Sequence, residues 1–420
     1  MLSIIVILLL TGFLVLNFQR GVLLIFILRP FLSLCDDVGK MPVLGALNLL
    51  MIMMYVVTNR NFLSNIKGYP FLIGSILVAI SIFLCNAFAD EQHTPNTILQ
   101  VIDVIILFIL YEVTRTIDDD KAKWAVKVVL IFAIIVIANG LIETFTEKNI
   151  LLDVLMNSGL YDSETKTIMG ERYGFKRAQS IFGMHTSLAG YAIPPLAFLL
   201  YLMRKTRLRM PAITLPVIIG LGVMVLFSGA RSGIIGMAIA LLCVFDKSLA
   251  KGKYIFLALI IIIFVSPFVA DYFEQIIASI QDTQKVGGSN TDMRQTQLDI
   301  SLYYMARSPW VGNGIAYTWR VSTQFSEDLF GAESMWFPVM IDRGIVGILT
   351  LAVLCCNILF YVWWRDVRKF IFLVIGFFVF NTMSSIPDVT WTYMATFIFL
   401  LQRLYALHGE NAPISNDIAE

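Results

Sequence analysis

Apolar runs close to bilayer length recur along nearly the whole chain, and they limit what it can fold into more than any other feature. They fall at about residues 2–17, 21–35, 41–58, 70–89, 97–114, 123–145, 185–203, 211–228, 231–246, 254–270, 334–362, 370–386 and 388–404. A helix crossing the hydrocarbon core needs ~20 predominantly apolar residues. The second run, which contains Arg29-Pro30, is short for that task. The expectation is an all-α polytopic membrane protein with about 12–13 transmembrane helices.

Composition agrees. Hydrophobic residues make up 58% of the 420, charged residues 15%, and the mean hydropathy is +0.78. The net charge is +1, so no global field favours nucleic acid. The first run, Leu2–Leu16, lacks a basic leader and a small-residue cleavage signature, and is expected to stay as a membrane segment. The five cysteines sit in or beside apolar runs without ligand spacing, and three histidines are scattered. Neither a metal centre nor a disulfide framework is expected, and no cofactor is implied. No internal repeat is apparent.

The short loops set an orientation. RKTRLR (Arg204–Arg209), DKSLAKGK (Asp246–Lys253) and WWRDVRK (Trp363–Lys369) fall on one side if the spans alternate, and the positive-inside rule makes that side cytoplasmic. ADEQHTPN (Ala89–Asn96) and IPDV (Ile386–Val389) then face outward, and neither contains Lys or Arg. Five regions follow: membrane helices over 1–145, further helices with a first outward loop over 146–270, a large outward loop over 271–333, closing helices over 334–404, and a polar inner tail over 405–420. The large loop is expected to hold short helices. DYFEQIIASI places Phe273, Ile276, Ile277 and Ile280 on one face of a surface-lying helix, and TDMRQTQLDISLYYMAR forms a second helix ended by SPWVGNG.

The outward loops gather basic residues: Lys166, Arg172, Lys176, Arg177, Lys285, Arg294, Arg307 and Arg320. Solvated surface charge explains any one of them. Arg177 precedes a span directly, with His185 eight residues on, and Arg231 stands in the tight turn FSGARSGIIG between two apolar segments. Arginine in or beside a membrane is costly and marks a partner or a function, with snorkelling from a helix end as the other reading. Guanidinium groups at an outer membrane surface suit a lipid diphosphate, whose oxygens they grip two at a time. Asp103, Glu112 and Glu143 lie inside or at the ends of apolar runs, where interhelical hydrogen bonding and a proton path are both open. ESMWFPVMIDRGIVG opens with Glu333 and Ser334 at the mouth of a span and places Asp342, Arg343, Gly344 and Gly347 further in.

Four segments, in order, resemble one family: RAQSIFGMHTSLAGYA, FSGARSGIIG, MARSPWVGNG and ESMWFPVMIDRGIVG, with the likeness spanning about residues 120 to 385. They resemble the O-antigen ligase and Wzy-type polymerase superfamily of bacterial surface-polysaccharide enzymes. The resemblance implies a GT-C-like, metal-independent membrane glycosyltransferase at the periplasmic face of the inner membrane. Its donor would be an undecaprenyl-diphosphate-linked oligosaccharide, with membrane lipids, a chain-length regulator and a flippase as implied partners. Carried over by position, Arg231, Arg177 and Arg294 are the candidates for gripping the diphosphate, with Lys176, His185 and Ser334 as further binding residues. Ligases of this superfamily start the last motif with histidine; here that place is taken by Glu333. A carboxylate there can accept a proton from a sugar hydroxyl, orient an acceptor, or cap the helix. The missing histidine favours a polymerase, with a ligase or O-oligosaccharyltransferase as the near alternative and a lipid-linked oligosaccharide flippase as the distant one.

Overall fold

The computed structural model of the protein describes residues 2–38, 41–59, 62–161, 171–172, 175–244, 291–324, 333–364, 367–384 and 390–409. The expected span over 254–270, the surface helix at Phe273–Ile280, Lys166, Lys285, the Ile386–Val389 loop and the C-terminal tail beyond 409 lie outside the described residues.

The longer helices are α1 (Leu2–Leu16), α2 (Phe18–Ile27), α3 (Val43–Thr58), α4 (Leu72–Phe88), α5 (Thr94–Thr116), α6 (Asp119–Thr146), α7 (Ile150–Asn157), α8 (His185–Lys205), α9 (Thr214–Phe227), α10 (Arg231–Leu241), α11 (Thr291–Arg307), α12 (Tyr317–Gln324), α13 (Trp336–Trp363), α14 (Ile371–Thr382) and α15 (Thr390–His408). Glu171–Arg172 and Phe175–Lys176 form a two-residue antiparallel ladder. Among the described residues, four helices are long and apolar enough to cross a bilayer, α5, α6, α8 and α13, and shorter apolar helices accompany them. The chain is an all-α polytopic membrane protein.

At the centre, α8 packs against α9, α10, α14 and α15 and is buried along most of its length. Its Tyr191 stacks on Tyr393 of α15 at 5.7 Å between centroids, and Phe198 meets Phe397 edge-on at 5.3 Å. Helices α10 and α14 touch through backbone. A Cβ on Gly236 would lie 2.8 Å from the Gly376 carbonyl oxygen, so only glycine permits this crossing.

Contacts sort the chain ends of the helices into two groups. Thr206 bridges Gly409, Arg207 N–H donates to the His408 carbonyl at 2.8 Å, and Arg403 Nε donates to the Ile117 carbonyl at 2.8 Å. Tyr201 meets Phe370 at 5.6 Å. The basic RKTRLR turn, the α5–α6 turn, the Arg368–Phe370 turn and the end of α15 thus share one end of the bundle, as alternating spans require.

The short second run forms the ten-residue α2, which rises about 15 Å, roughly half of a hydrocarbon core. It turns off α1 at Asn17, whose side chain caps it by accepting the Arg20 N–H at 3.2 Å. Beyond its end, the fully buried Arg29 donates to Asp103 of α5 at 2.8 Å and to Asn48 of α3 at 3.3 Å. Asn48 Nδ2 in turn donates to Asp103 at 2.9 Å. The three side chains close a triangle that ties α2, α3 and α5 together.

One helix is broken. In α13, Gly344 takes φ 59° and ψ −154°, a conformation that only glycine adopts at low cost. The Pro309–Gly314 segment of the large loop occupies the gap. Ile345 and Val346 N–H donate to the carbonyls of Pro309 and Trp310 at 2.9 and 3.0 Å. In return, Asn313 and Gly314 N–H donate to the carbonyls of Ile341 and Asp342 at 3.0 and 3.1 Å. The buried Asp342 carboxylate accepts from Ala316 N–H at 3.1 Å and from Thr318 N–H and Oγ1 at 2.7 and 2.6 Å, fixing the start of α12. Each strand of the junction supplies the hydrogen bonds the other has lost.

Two outcomes test these features. Arg29→Leu strands the Asp103 charge and is expected to cost about 3–5 kcal/mol, whereas Arg29→Met combined with Asp103→Leu should recover most of the loss. Thermal unfolding of the purified variants checks both. Gly312, at φ 75°, lies so close to the Asp342 carbonyl that a Cβ would overlap it. Gly312→Ala is therefore expected to lower the melting temperature by several degrees and to expose the loop to limited proteolysis between α11 and α13.

Candidate functional site

At the end of the bundle opposite the basic turns, three separated segments converge on the end of α14 and the two residues after it. The Asn381 carbonyl accepts the Met335 N–H at 3.0 Å, and Thr382 Oγ1 accepts the Trp336 indole N–H at 3.3 Å. The Met383 carbonyl accepts Arg294 Nη2 at 2.9 Å, and the Ser384 hydroxyl is hydrogen-bonded to that of Ser232. Residues 381–384 are thus a polar hub joining the start of α13, the first turn of α11 and the first turn of α10. The hub places Arg231, Arg294 and Glu333 around one short stretch of chain.

Arg231 is the first residue of α10, at the positive end of its dipole, after a turn with Gly229 at φ 63°. Ser228 Oγ accepts the Ala230 N–H at 3.2 Å and fixes that turn. A guanidinium beside helix N–H groups is an arrangement suited to a phosphate.

Glu333 precedes α13 and is about a third exposed, as is Arg294. Its Oε2 lies 3.5 Å from Arg294 Nη2, a loose pair that leaves the carboxylate approachable. Its backbone N–H donates to Oε1 of the fully buried Gln297, at 3.2 Å, one turn after Arg294 on α11. Glu333 is therefore held by the loop helix, through backbone and side chain at once. Helix capping falls to the neighbouring residue: buried Ser334 accepts the Trp336 N–H on Oγ at 3.2 Å. That contact gives Ser334 a structural task besides any binding role.

Arg177 reaches this end by a different route. Ala178 N–H donates to the Phe227 carbonyl at 2.9 Å, laying the Arg177 segment along the end of α9, four residues from Arg231 in that chain. Ser180 is forced to φ 51°, and buried Glu143 sustains it by accepting the N–H groups of Gln179 and Ser180 at 2.8 and 2.7 Å. Asn149 donates to the Ser180 carbonyl at 2.6 Å, and Ser180 Oγ donates to the Val136 carbonyl at 2.8 Å. Three bonds on one strained residue, and a fourth on its neighbour Gln179, over-determine its conformation. Glu143 thus serves as a clamp on this strained turn, while Asn139 bonds Asn149 at 2.9 Å.

Arg177 Nη1 lies 3.2 Å from His185 Nε2. A guanidinium only donates, so this contact uses the lone pair of Nε2 and places any ring proton on Nδ1. Lys176 Nζ donates to the Glu147 carbonyl at 2.5 Å, where α6 ends in a left-handed residue, and so caps that helix. Of the other basic loop residues, Arg307 stacks on Tyr303 and Tyr304, and Arg320 pairs with Glu91.

The hub itself, Asn381 to Ser384, and Gln297 were not singled out from the sequence. The signal was there: NTMSS is a polar run at the very end of an apolar one, but nothing in it names its partners.

Among curated proteins, none matches this chain. The family model described as O-antigen ligase matches residues 215–352, from inside α9 to inside α13. Arg231, Arg294, Gln297, Glu333 and Ser334 fall within that span, and Lys176, Arg177 and His185 precede it. Residues 215–352 are thus similar to the O-antigen ligase family, in line with the chain's likeness to the O-antigen ligase and Wzy-type superfamily.

Proposed function

We propose that the protein is a polymerase of a bacterial surface polysaccharide, whether O-antigen, capsule or exopolysaccharide. It works at the periplasmic face of the inner membrane. The growing glycan leaves undecaprenyl diphosphate and joins an incoming lipid-linked repeat unit, whose sugar hydroxyl is the nucleophile. The bond from the anomeric carbon to the diphosphate oxygen breaks, and its electron pair leaves with the diphosphate. The new bond forms from the acceptor oxygen to that carbon, and the hydroxyl proton passes to the Glu333 carboxylate. Arg231, Arg177 and Arg294 stabilise the departing charge, and positioning supplies much of the remaining rate. No metal takes part in this scheme. A chain-length regulator and a flippase are the partners that the resemblance suggests.

The observation that carries the reading is the hub at 381–384. It seats the Arg231 turn and the Arg294–Glu333 pair together at the end of the bundle away from the basic turns. A carboxylate in place of the ligase histidine supports polymerisation. The family description names a ligase, and the same geometry would serve one whose acceptor is a lipid core or a protein.

Reconstitution with one purified undecaprenyl-diphosphate oligosaccharide, without nucleotide and with chelator, separates the readings. Lengthening of the lipid-linked glycan is expected. Movement across the bilayer at unchanged length would sink the proposal. Arg231→Ala should abolish transfer, and Glu333→Gln should slow it by about 10²–10⁴-fold, the usual contribution of a general base. Near-normal turnover in both variants would remove the site assignment.

A further inference from the structure

The loop helix α11 changes character along its length. Gln295, Thr296 and Asp299 are exposed in its first half, and on the same side of its last turns Leu302, Tyr303 and Ala306 are exposed instead. Trp310 follows directly and is 67% exposed. Arg307 lies between them, its guanidinium 5.0 and 4.9 Å from the Tyr303 and Tyr304 rings and hydrogen-bonded to the Tyr303 hydroxyl at 3.0 Å. Large apolar side chains standing open on a polar helix need something to cover them.

Two independent observations say what does. The first is the depth at which this end of α11 is fastened. The Trp310 carbonyl is bonded to Val346 inside the broken α13, directly above the exposed residues Leu349, Val353 and Phe360 of that helix. At the other end of the same stretch stand exposed Trp363 and Trp364. From Val346 to Trp363 the helix rises about 26 Å, close to the ~30 Å of a hydrocarbon core. Tryptophans at both ends of an apolar stretch of that length form the belts that sit at the two membrane interfaces. The second observation comes from α4. A Cβ on Gly314 would lie 2.8 Å from the Ala89 Cβ, where the apolar helix gives way to Asp90 and Glu91. Both place the loop at the boundary between acyl chains and headgroups.

We infer that the C-terminal end of α11 and Trp310 form a lipid-seated anchor: Leu302, Tyr303 and Trp310 enter the headgroup–acyl boundary and Arg307 meets lipid phosphate. Helix α11 is then fastened to the bilayer at one end and to the α14 hub at the other. Tyrosine and tryptophan suit such a boundary because each has an apolar body and a polar edge, and a nearby arginine adds attraction to anionic headgroups. This inference does not depend on the reaction catalysed.

The test uses the full-length protein in vesicles of zwitterionic and anionic phospholipid whose acyl chains carry bromine just below the headgroup or at the bilayer centre. The Trp310 emission is obtained as the difference between wild type and W310F. It should be quenched at least about twofold by shallow bromine and little by deep bromine, as expected of a belt residue. Tyr303→Trp in the W310F background should restore a component with the same shallow preference. Emission insensitive to bromine at both depths but quenched by aqueous iodide would overturn the inference, and so would protection from iodide by soluble glycan in the absence of lipid contact.

Discussion

The structure turns on the exchange of hydrogen bonds at the break in α13. A helix in an apolar setting keeps its backbone satisfied by its own ladder, and opening it strands N–H and C=O groups with no water to take them. Here the opening is tolerated because the Pro309–Gly314 segment repairs both edges, with Gly312 and Gly344 allowing the backbones to meet. Because the repair is mutual, the large loop cannot be displaced without leaving α13 unsatisfied. The described part of the loop inherits that fixed position, including α11 with Arg294 and Gln297.

Charge within the bundle divides by duty. Arg29, Asp103 and Glu143 are spent on architecture: one triangle holds three helices, and one carboxylate holds the strained turn at Ser180. Asp342 likewise fixes the start of α12. Glu333 differs, since its only side-chain contact among those described is a long one to Arg294, itself shared with a backbone carbonyl. An exposed pair at that separation adds little stability. The loose pairing leaves the carboxylate approachable, which is what the proposed role of Glu333 requires.

Much of this was legible in the sequence, for a physical reason. Runs of apolar residues report membrane helices directly, and the short run at Arg29-Pro30 and the helix end at SPWVGNG announced themselves through proline, glycine and charge, whereas the break at Gly344 did not. Arg231, Arg177 and Glu333 stood out because charge beside an apolar run is costly. What stayed hidden was pairing. Nothing in NTMSS specifies that its carbonyls and hydroxyls would collect α10, α11 and α13, because any polar stretch at a helix end offers the same groups. Gln297 was invisible for the same reason: its burial is a property of the α11–α13 contact, not of its neighbours in the chain. Glu143 shows the reverse case, where the residue was conspicuous and its task was not, since the strained Ser180 it stabilises lies 37 residues away.

The two ends of α11 bring these threads together. From Arg294 to Arg307 the helix rises about 20 Å as a single rigid element. One end is held at the hub, beside Glu333, and the other is seated by Trp310 in the break of α13. If lipid covers that second end, the bilayer surface itself sets the height of the Arg294–Glu333 pair. The proposed donor, a lipid diphosphate, brings its phosphates to the same surface, anchored by its own acyl tail. Donor and enzyme would then take their vertical register from one plane, which removes a degree of freedom that binding contacts would otherwise have to fix. Such a device suits a reaction in which the reacting sugar carbon is joined directly to the headgroup: there, a vertical error in the loop is an error at the bond being broken.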